Sequence, residues 1–392
     1  MTEPIVILSA RRTPIGAFQG ALATSSAPQL GAVAMRAALD SAGVAGADVD
    51  EVIMGCVLAA GLGQAPARQA ALGAGLPAAV PATTVNKMCG SAMKAIMLGA
   101  DQLAAGRASL VLAGGLESMS NAPYLLPKAR TGYRMGHGEI LDHMFHDGLQ
   151  SPWDGKLMGC FADATAQKYA FTREQQDAFA AESVRRALRA LEAGDFDTEV
   201  APVEVGGRQG PTRVARDETP FKCDLARIAT LKPAFGAGGT VTAASSSSIS
   251  DGAAAAVLAR ESVAVQRNLR PLARLVAWAS SALAPEWFTI APVAAIGKVL
   301  QAAGWRASEV DLYEVNEAFA VVAMAAIREL ELDPARVNVN GGACALGHPI
   351  GATGARIVTT LIHALRQRGG RRGVAALCIG GGEATAVAIE LT

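Results

Sequence analysis

The chain echoes itself. Leu39 through Gly43 to Asp48-Val49-Asp50 and an apolar run is matched by Leu300 through Gly304 to Glu309-Val310-Asp311 and another run. Leu110-Val111-Leu112-Ala113-Gly114-Gly115 is likewise matched by Ala376-Leu377-Cys378-Ile379-Gly380-Gly381. Such periodicity predicts two copies of one supersecondary unit, although an apolar strand ending in Gly-Gly also arises in α/β folds without duplication. Length points the same way, because 392 residues exceed what a single core usually serves. Between the markers the first copy carries Cys89 and the second His348, each just before a helix signal. Duplication would therefore bring those two side chains to related positions.

Ile5 to Leu8 and Val52-Ile53-Met54 read as buried strands, Leu30 to Leu39 and Ala92 to Ala104 as helices, and Leu110 to Ala113 as a further strand. Strands alternating with helices predict a mainly parallel sheet covered on both faces. Between about Met119 and Gly239 the texture changes. Tyr124, Pro127, Tyr133, His137, His143, His146 and Trp153 cluster there, followed by an amphipathic helix around 173–192 and a polar stretch at 206–217. This reads as an insertion after the first Gly-Gly strand, a lid or an oligomer contact.

Lysine plus arginine equals aspartate plus glutamate at 35 each, so no global basic field exists for nucleic acid. Six cysteines without a CxxC pair make neither a disulfide framework nor a zinc ribbon and fit a reducing cytoplasm. The N-terminal apolar run, Ile5 to Leu8, is too short for a signal or membrane segment, and no later run reaches membrane length.

Four residues carry the chemistry. Cys89, before Gly90-Ser91-Ala92 and a helix, lies where a helix N-terminus favours the nucleophilic thiolate; inert packing is the alternative for a lone cysteine. His348, before Pro349 and the start of another periodic run, faces a helix N-terminus that keeps a neutral base. Its alternative is a metal ligand with Cys344. Cys378 ends an apolar strand and meets Gly380-Gly381-Gly382, whose backbone can approach a ligand and present N–H groups to an oxyanion, or can simply join two strands. Asn316 closes a strand and opens a helix, as an N-cap or as a site residue. Together, one thiol can form a thioester, a second thiol poised near ambient pH can exchange a proton with a carbon acid, and the histidine can move the nucleophile's proton. An asparagine, through a water, can help hold the thioester oxygen. This equipment suits carbon–carbon bond formation or cleavage beside a thioester carbonyl.

At these residues, and at Arg12-Thr13-Pro14-Ile15-Gly16, Asn86 to Ser91, Gly115 to Ser120, Asn316 to Ala320, Gly347 to Gly354 and Cys378 to Gly382, the chain closely resembles the thiolase family. The resemblance implies an α/β thiolase fold: two pseudo-duplicated βαβαβαββ halves in a five-layer αβαβα core with an inserted loop domain. The halves would span 1–118 with 240–270, and 271–392, with the insertion at 119–239. It further implies that Cys89 is acylated, that His348 is the base activating it or the thiol of coenzyme A, and that Cys378 is the acid/base at the substrate α-carbon. Asn316 would position an oxyanion-hole water beside His348, and the backbone N–H groups of Cys89 and Gly380 would form a second hole.

For coenzyme A, a substrate and not a resident cofactor, the resemblance points to Ser247 at the pantetheine and to Met158, Phe235 and Phe319 along the acyl and pantetheine channel. Lys222 stands near the position where relatives often have an arginine for the nucleotide. Two departures stand out: the serine run Ser245 to Ser248, which composition alone reads as a flexible linker, and Glu383, where relatives have a small or uncharged residue. The segment 124–144 resembles a tetramerisation loop. The implied activity is reversible cleavage of short-chain 3-ketoacyl-CoA, led by acetoacetyl-CoA, in a cytoplasmic homotetramer. A ketoacyl-synthase-type condensing enzyme and an inactive acyl-CoA-binding scaffold are the alternatives.

Overall fold

Gly43 and Gly304 each end a helix in the left-handed conformation, at φ 66° and 69°, the geometry that glycine adopts without steric cost. Each stop leads through one 3-10 turn, Gly46–Asp48 or Ala307–Glu309, into a strand. This computed structural model describes residues 3–206 and 210–392. Residues 207–209 of the polar 206–217 stretch, and the first two of the chain, lie outside the described residues.

In chain order the strands are β1 Ile5–Arg12, β2 Gly16–Ala17, β3 Glu51–Gly55, β4 Ala82–Val85, β5 Leu110–Ser118, β6 Tyr124–Leu125, β7 Leu141–Asp142, β8 Val203–Val205, β9 Thr212–Val214, β10 Ser250–Arg260, β11 Ala273–Ala282, β12 Leu312–Val315, β13 Arg372–Ile379 and β14 Glu383–Leu391. The helices are α1 Ala27–Ala42, α2 Pro66–Gly73, α3 Ser91–Ala104, α4 Met158–Lys168, α5 Arg173–Ala193, α6 Glu261–Gln266, α7 Ala291–Ala303, α8 Ala320–Glu329, α9 Ala343–Leu346 and α10 Thr353–Arg368. Local signals set several ends. Ser26 with Gln29 and Thr172 with Gln175 form capping boxes that start α1 and α5, each satisfying free N–H groups of a first turn.

The duplication is physical. Asp50 accepts from the backbone N–H groups of Ser109 and Leu110 at 2.6 and 3.0 Å. Asp311 does the same for Arg371 and Arg372 at 2.7 and 2.8 Å. In each copy one carboxylate thus ties the entry of a strand to the entry of its parallel neighbour, β3 to β5 and β12 to β13.

The central sheet runs β12-β13-β14-β11-β1-β10-β5-β3-β4. It is mixed, not mainly parallel: among the described residues only β3 with β4, β3 with β5, and β12 with β13 are parallel strand pairs. The last strand of each copy returns antiparallel, β10 on β5 and β14 on β13, and the turn Gly380–Gly382 is too short for the crossover a parallel return needs. The two arms join where Ile5 to Ile7 pair with Ala273 to Leu275. In the second arm a single parallel bridge, Tyr313 to Val337, stands where the first arm has β4.

Five layers follow from the cores. The first outer layer sets Leu30, Met35 and Ala70 against Val52, Leu112 and Val257. The second sets Ile296, Val299 and Val322 against Val315, Val374 and Ala386. Between the two arms, Met93, Ile96 and Leu103 of α3 pack with Ile357, Leu361 and Leu365 of α10. Each such aliphatic side chain, once removed from water, stabilises the fold by about 1.5–3 kcal/mol. The starts of α3 and α10, with Cys89 and His348 just ahead of them, therefore meet in the shared middle layer. The residues between β5 and β10 carry α4, α5 and two small antiparallel pairs, β6 with β7 and β8 with β9.

Candidate active site

Cys89 stands on a tight turn that its neighbours hold under strain. Met88 has φ +47°, the left-handed region that costs a side-chain-bearing residue. Asn86 Oδ1 accepts from the Met88 N–H at 2.9 Å, while Ser91 Oγ accepts from the Lys87 N–H at 2.8 Å and donates to the Met88 carbonyl at 2.6 Å. Gly90 lets the turn sit close to β13, since a Cβ there would lie 2.4 Å from Ile379 Cδ1 and would force that side chain to move. That close approach presses the turn against the end of β13, next to Cys378.

The thiols behave differently from the expectation of a helix-start thiolate. Burial pushes Cys89 up to about 11, against the opposing pull of the Gly380 and Cys89 backbone N–H groups. Burial, with Cys89 next to it, likewise pushes Cys378 well above the ordinary thiol range. Neither is poised near ambient pH. Desolvation outweighs the helix terminus here, because the charged form loses its water before the dipole can stabilise it. The N–H groups that face the Cys89 sulfur, from Gly380 and Cys89 itself, are the pair expected as an oxyanion hole. Gly381 and Gly382, at φ +98° and +88°, turn the chain to present the first of them.

The surroundings of His348 fix its tautomer. Thr353 Oγ1 lies 2.6 Å from its Nδ1 and donates its own hydrogen to the Pro349 carbonyl at 2.9 Å. The hydroxyl therefore accepts from Nδ1–H, which leaves the lone pair on Nε2. Nε2 is buried without a protein partner, and the ring lines the same cavity as Cys89. Burial, then the cation of Arg356, lowers its pKa to about 3, so the resting pair is a neutral thiol and a neutral imidazole. As for the metal alternative, the Cys344 thiol contacts the Glu317 carbonyl at 3.8 Å. Among the described residues no three His, Cys, Asp or Glu side chains group as metal ligands.

Asn316 is not an N-cap, because α8 begins four residues later with Phe319 as its cap. Its N–H donates to Ala376 at 2.9 Å, its Oδ1 faces Arg356 Nη2 at 3.5 Å, and its Nδ2 is buried without a partner. The loop that follows is anchored by buried Glu317, which accepts from Ser183 Oγ, Asn338 Nδ2 and the Cys344 N–H at 2.7, 2.8 and 3.1 Å.

The serine run is a wall, not a linker. The Ser247 N–H donates to Ala318 at 3.0 Å, the Ala320 N–H to Ser245 at 2.8 Å, and the His348 N–H to Ser248 at 3.1 Å. Ser246 Oγ donates to the Thr242 carbonyl at 2.7 Å. The run thereby stitches the Asn316 loop to the histidine, which removes the observation that favoured an inactive scaffold.

A cavity of about 330 Å³ opens onto Cys89 and His348, whereas Asn316 and Cys378 are buried and do not line it. Ser247, Met158, Phe235, Phe319 and Gly380 line it with Cys89 and His348. Lys222 does not; its ammonium is exposed and pairs with Glu218 Oε1 at 2.6 Å.

Three further residues support the site: Glu383, which stood out in the sequence without a role, and Glu117 and Arg356, which were not singled out there. Glu383 opens β14 and makes an ion pair with Lys87, strapping the nucleophile turn to the strand that follows Gly380–Gly382. Nothing local marks such a partner 296 residues away. Buried Glu117 accepts from the N–H groups of Val57, Leu58 and Gly351 at 3.0, 3.1 and 2.8 Å, which ties the His348 turn to β3 and its exit. Its signal was the block Gly115 to Ser120. The third is Arg356, in the first turn of α10, two residues past the Gly347 to Gly354 block.

Comparison with known proteins agrees along the whole chain. The family model "Thiolase, N-terminal domain" matches residues 5–262, and "Thiolase, C-terminal domain" matches 269–391. An acetyl-CoA acetyltransferase of Pseudomonas aeruginosa is 49% identical over 389 residues, 99% of each chain. One from Saccharomyces cerevisiae is 48% identical over 396 residues, 100% of each. The crystal structure of the Bacillus anthracis acetyl-CoA acetyltransferase superposes with a TM-score of 0.97 at 41% identity, covering 100% of this chain and 99% of that one. With this fold and these turns around one cavity, the chain belongs to the thiolase family.

Proposed function

We propose that the chain is an acetyl-CoA C-acyltransferase that cleaves and forms short-chain 3-ketoacyl-CoA through an acyl-Cys89 thioester. The observation that carries this is the convergence on one cavity of the Cys89 thiol, the two N–H groups at its sulfur and the free Nε2 of His348. In cleavage, His348 takes the Cys89 proton as the sulfur attacks the 3-keto carbonyl, and the N–H groups of Cys89 and Gly380 hold the oxyanion. The bond from the α-carbon breaks, Asn316 and its water hold the departing thioester enolate, and Cys378 gives its proton to that carbon. His348 passes the proton it took to the Cys378 thiolate, then, neutral again, deprotonates coenzyme A, which takes the acyl group while the released Cys89 thiolate recovers that proton from His348. Condensation runs the same steps backwards, with Cys378 removing the α-proton of acetyl-CoA.

Chain length follows from the walls. Phe145, Leu149, Leu157, Phe288 and Phe319 enclose a cavity of about 330 Å³ that must also hold pantetheine. Acetoacetyl-CoA is therefore the preferred substrate, with kcat/KM falling at least about tenfold on lengthening the acyl group by several methylenes, since each misfit methylene costs about 1 kcal/mol or more. Steady-state thiolysis across 3-ketoacyl-CoA lengths tests this. A longer chain turned over faster than acetoacetyl-CoA contradicts it. Exposed Lys222 serves the nucleotide end by exchanging its half-buried partner Glu218 for phosphate.

The exposed apolar side chains Tyr124, Leu126, Tyr133, Met135 and Ile140 favour a subunit contact through this segment. A homotetramer is expected by light scattering, and a mass of one or two chains rules it out. No helix among the described residues is long and apolar enough to cross a membrane. A cytoplasmic place in fatty acid metabolism fits the free thiols and the thioester chemistry.

A further inference from the structure

Arg356 is buried on α10, behind the reacting groups. Its Nη1 lies 3.6 Å from Glu314 Oε2 and its Nη2 lies 3.5 Å from Asn316 Oδ1. Its Nε and Nη1 have no hydrogen-bond partner. Stability alone is a poor reason for such a pair, because apolar residues of similar volume usually serve a core as well. Geometry offers another reason. A guanidinium only donates, so the face of the Asn316 amide turned to it must be the oxygen. The NH2 is then turned away from it, and that group has no protein acceptor.

We propose that Arg356 is a positioning residue: it fixes the Asn316 amide with Nδ2 free to donate to the oxyanion-hole water. The proposal rests on the assignment of Asn316 and His348 above and deepens it. The contact with Asn316 is long at 3.5 Å, as contacts of catalytic groups often are before substrate tightens them.

The same cation also acts on His348, which gives a second readout. Burial and Arg356 both act on His348 in the same direction, so removing the cation raises its pKa toward the ordinary value. The protonated form, which cannot act as base, then appears at higher pH. The other charged or titratable groups around this cluster are Cys89 on its turn, Cys378 on β13, Glu117 on β5, Glu314 on β12, Glu317 in the next loop, Arg12 on β1, Glu199 and, further along α10, His363.

A double-mutant cycle tests the proposal. Asn316→Ala alone should lower kcat for acetoacetyl-CoA thiolysis by about 10²–10³-fold, the usual loss for one oxyanion-hole donor. Arg356→Met should lower kcat about 10- to 100-fold with KM for coenzyme A unchanged. In the Asn316→Ala background it should cost less than about threefold, because its effect travels through that amide. The acid limb of kcat/KM should rise by about one pH unit or more in Arg356→Met and stay in place in Arg356→Lys, which keeps the charge. If Arg356→Met does not fold, the same cycle is run on Arg356→Met with Glu314→Gln, which leaves no unpaired buried charge. Losses that multiply, or an acid limb that does not move, overturn the role of Arg356. Full activity in Asn316→Ala overturns instead the assignment of Asn316 itself.

Discussion

Replacement of Cys89 by alanine is expected to lower thiolysis of acetoacetyl-CoA by on the order of 10⁴-fold or more, with coenzyme A still bound. The size follows from the kind of group removed. Losing a covalent nucleophile removes the whole two-step route and leaves only binding and oxyanion stabilisation, as in hydrolases stripped of theirs. Folding should survive, because the side chain lines a cavity and touches the middle-layer core only from its edge, and alanine permits the helical start that follows. Serine at 89 should recover little. The site holds its nucleophile protonated until attack, and a hydroxyl, far less acidic than a thiol, asks more of a histidine whose pKa is about 3. Steady-state thiolysis with binding measured separately checks this, and activity within tenfold of the parent contradicts it.

Cys378→Ala is expected to split the reaction. Exchange of the acetyl group between acetyl-CoA and free coenzyme A needs only Cys89, His348 and the N–H groups, so it should persist within about tenfold. Cleavage and condensation need a proton delivered to or taken from the α-carbon and should fall about 10³-fold or more. General acid–base groups contribute about 10²–10⁴-fold, and the buried surroundings of Cys378, with 0% exposure, admit no solvent substitute. Uptake of solvent deuterium into the methyl group of acetyl-CoA reports the same step and should vanish. Equal loss in both half-reactions is the result that removes Cys378 from the α-carbon. Burial pushes this thiol well above its ordinary range, so it rests protonated, the form that donates in cleavage.

Much of this was legible in the sequence because it was local or repeated. The left-handed stops at Gly43 and Gly304 and the paired carboxylates Asp50 and Asp311 stand at the echoed positions. The turns bearing Cys89 and His348 precede α3 and α10 as their signals predicted. The unread parts depend on partners distant in sequence. The antiparallel return of β10 and β14 is settled by what lies beside them, not by their own apolar runs. The thiol shifts invert the helix-terminus expectation because burial is a property of the assembled core. The serine run reads as a linker until the Asn316 loop and His348 are seen hydrogen-bonded to it. Glu383 acquires a reason only through Lys87.

The central claim is that Cys89 alone carries the acyl group. Rapid quench of the Cys378→Ala enzyme with acetyl-CoA, followed by peptide mass analysis, tests it most directly, because the trapped intermediate cannot go on to condense. The expected result is one acetyl group on the peptide bearing Cys89. An acetyl group on Cys56, Cys160, Cys223 or Cys344, or no acetylated peptide while acetyl exchange proceeds, contradicts it.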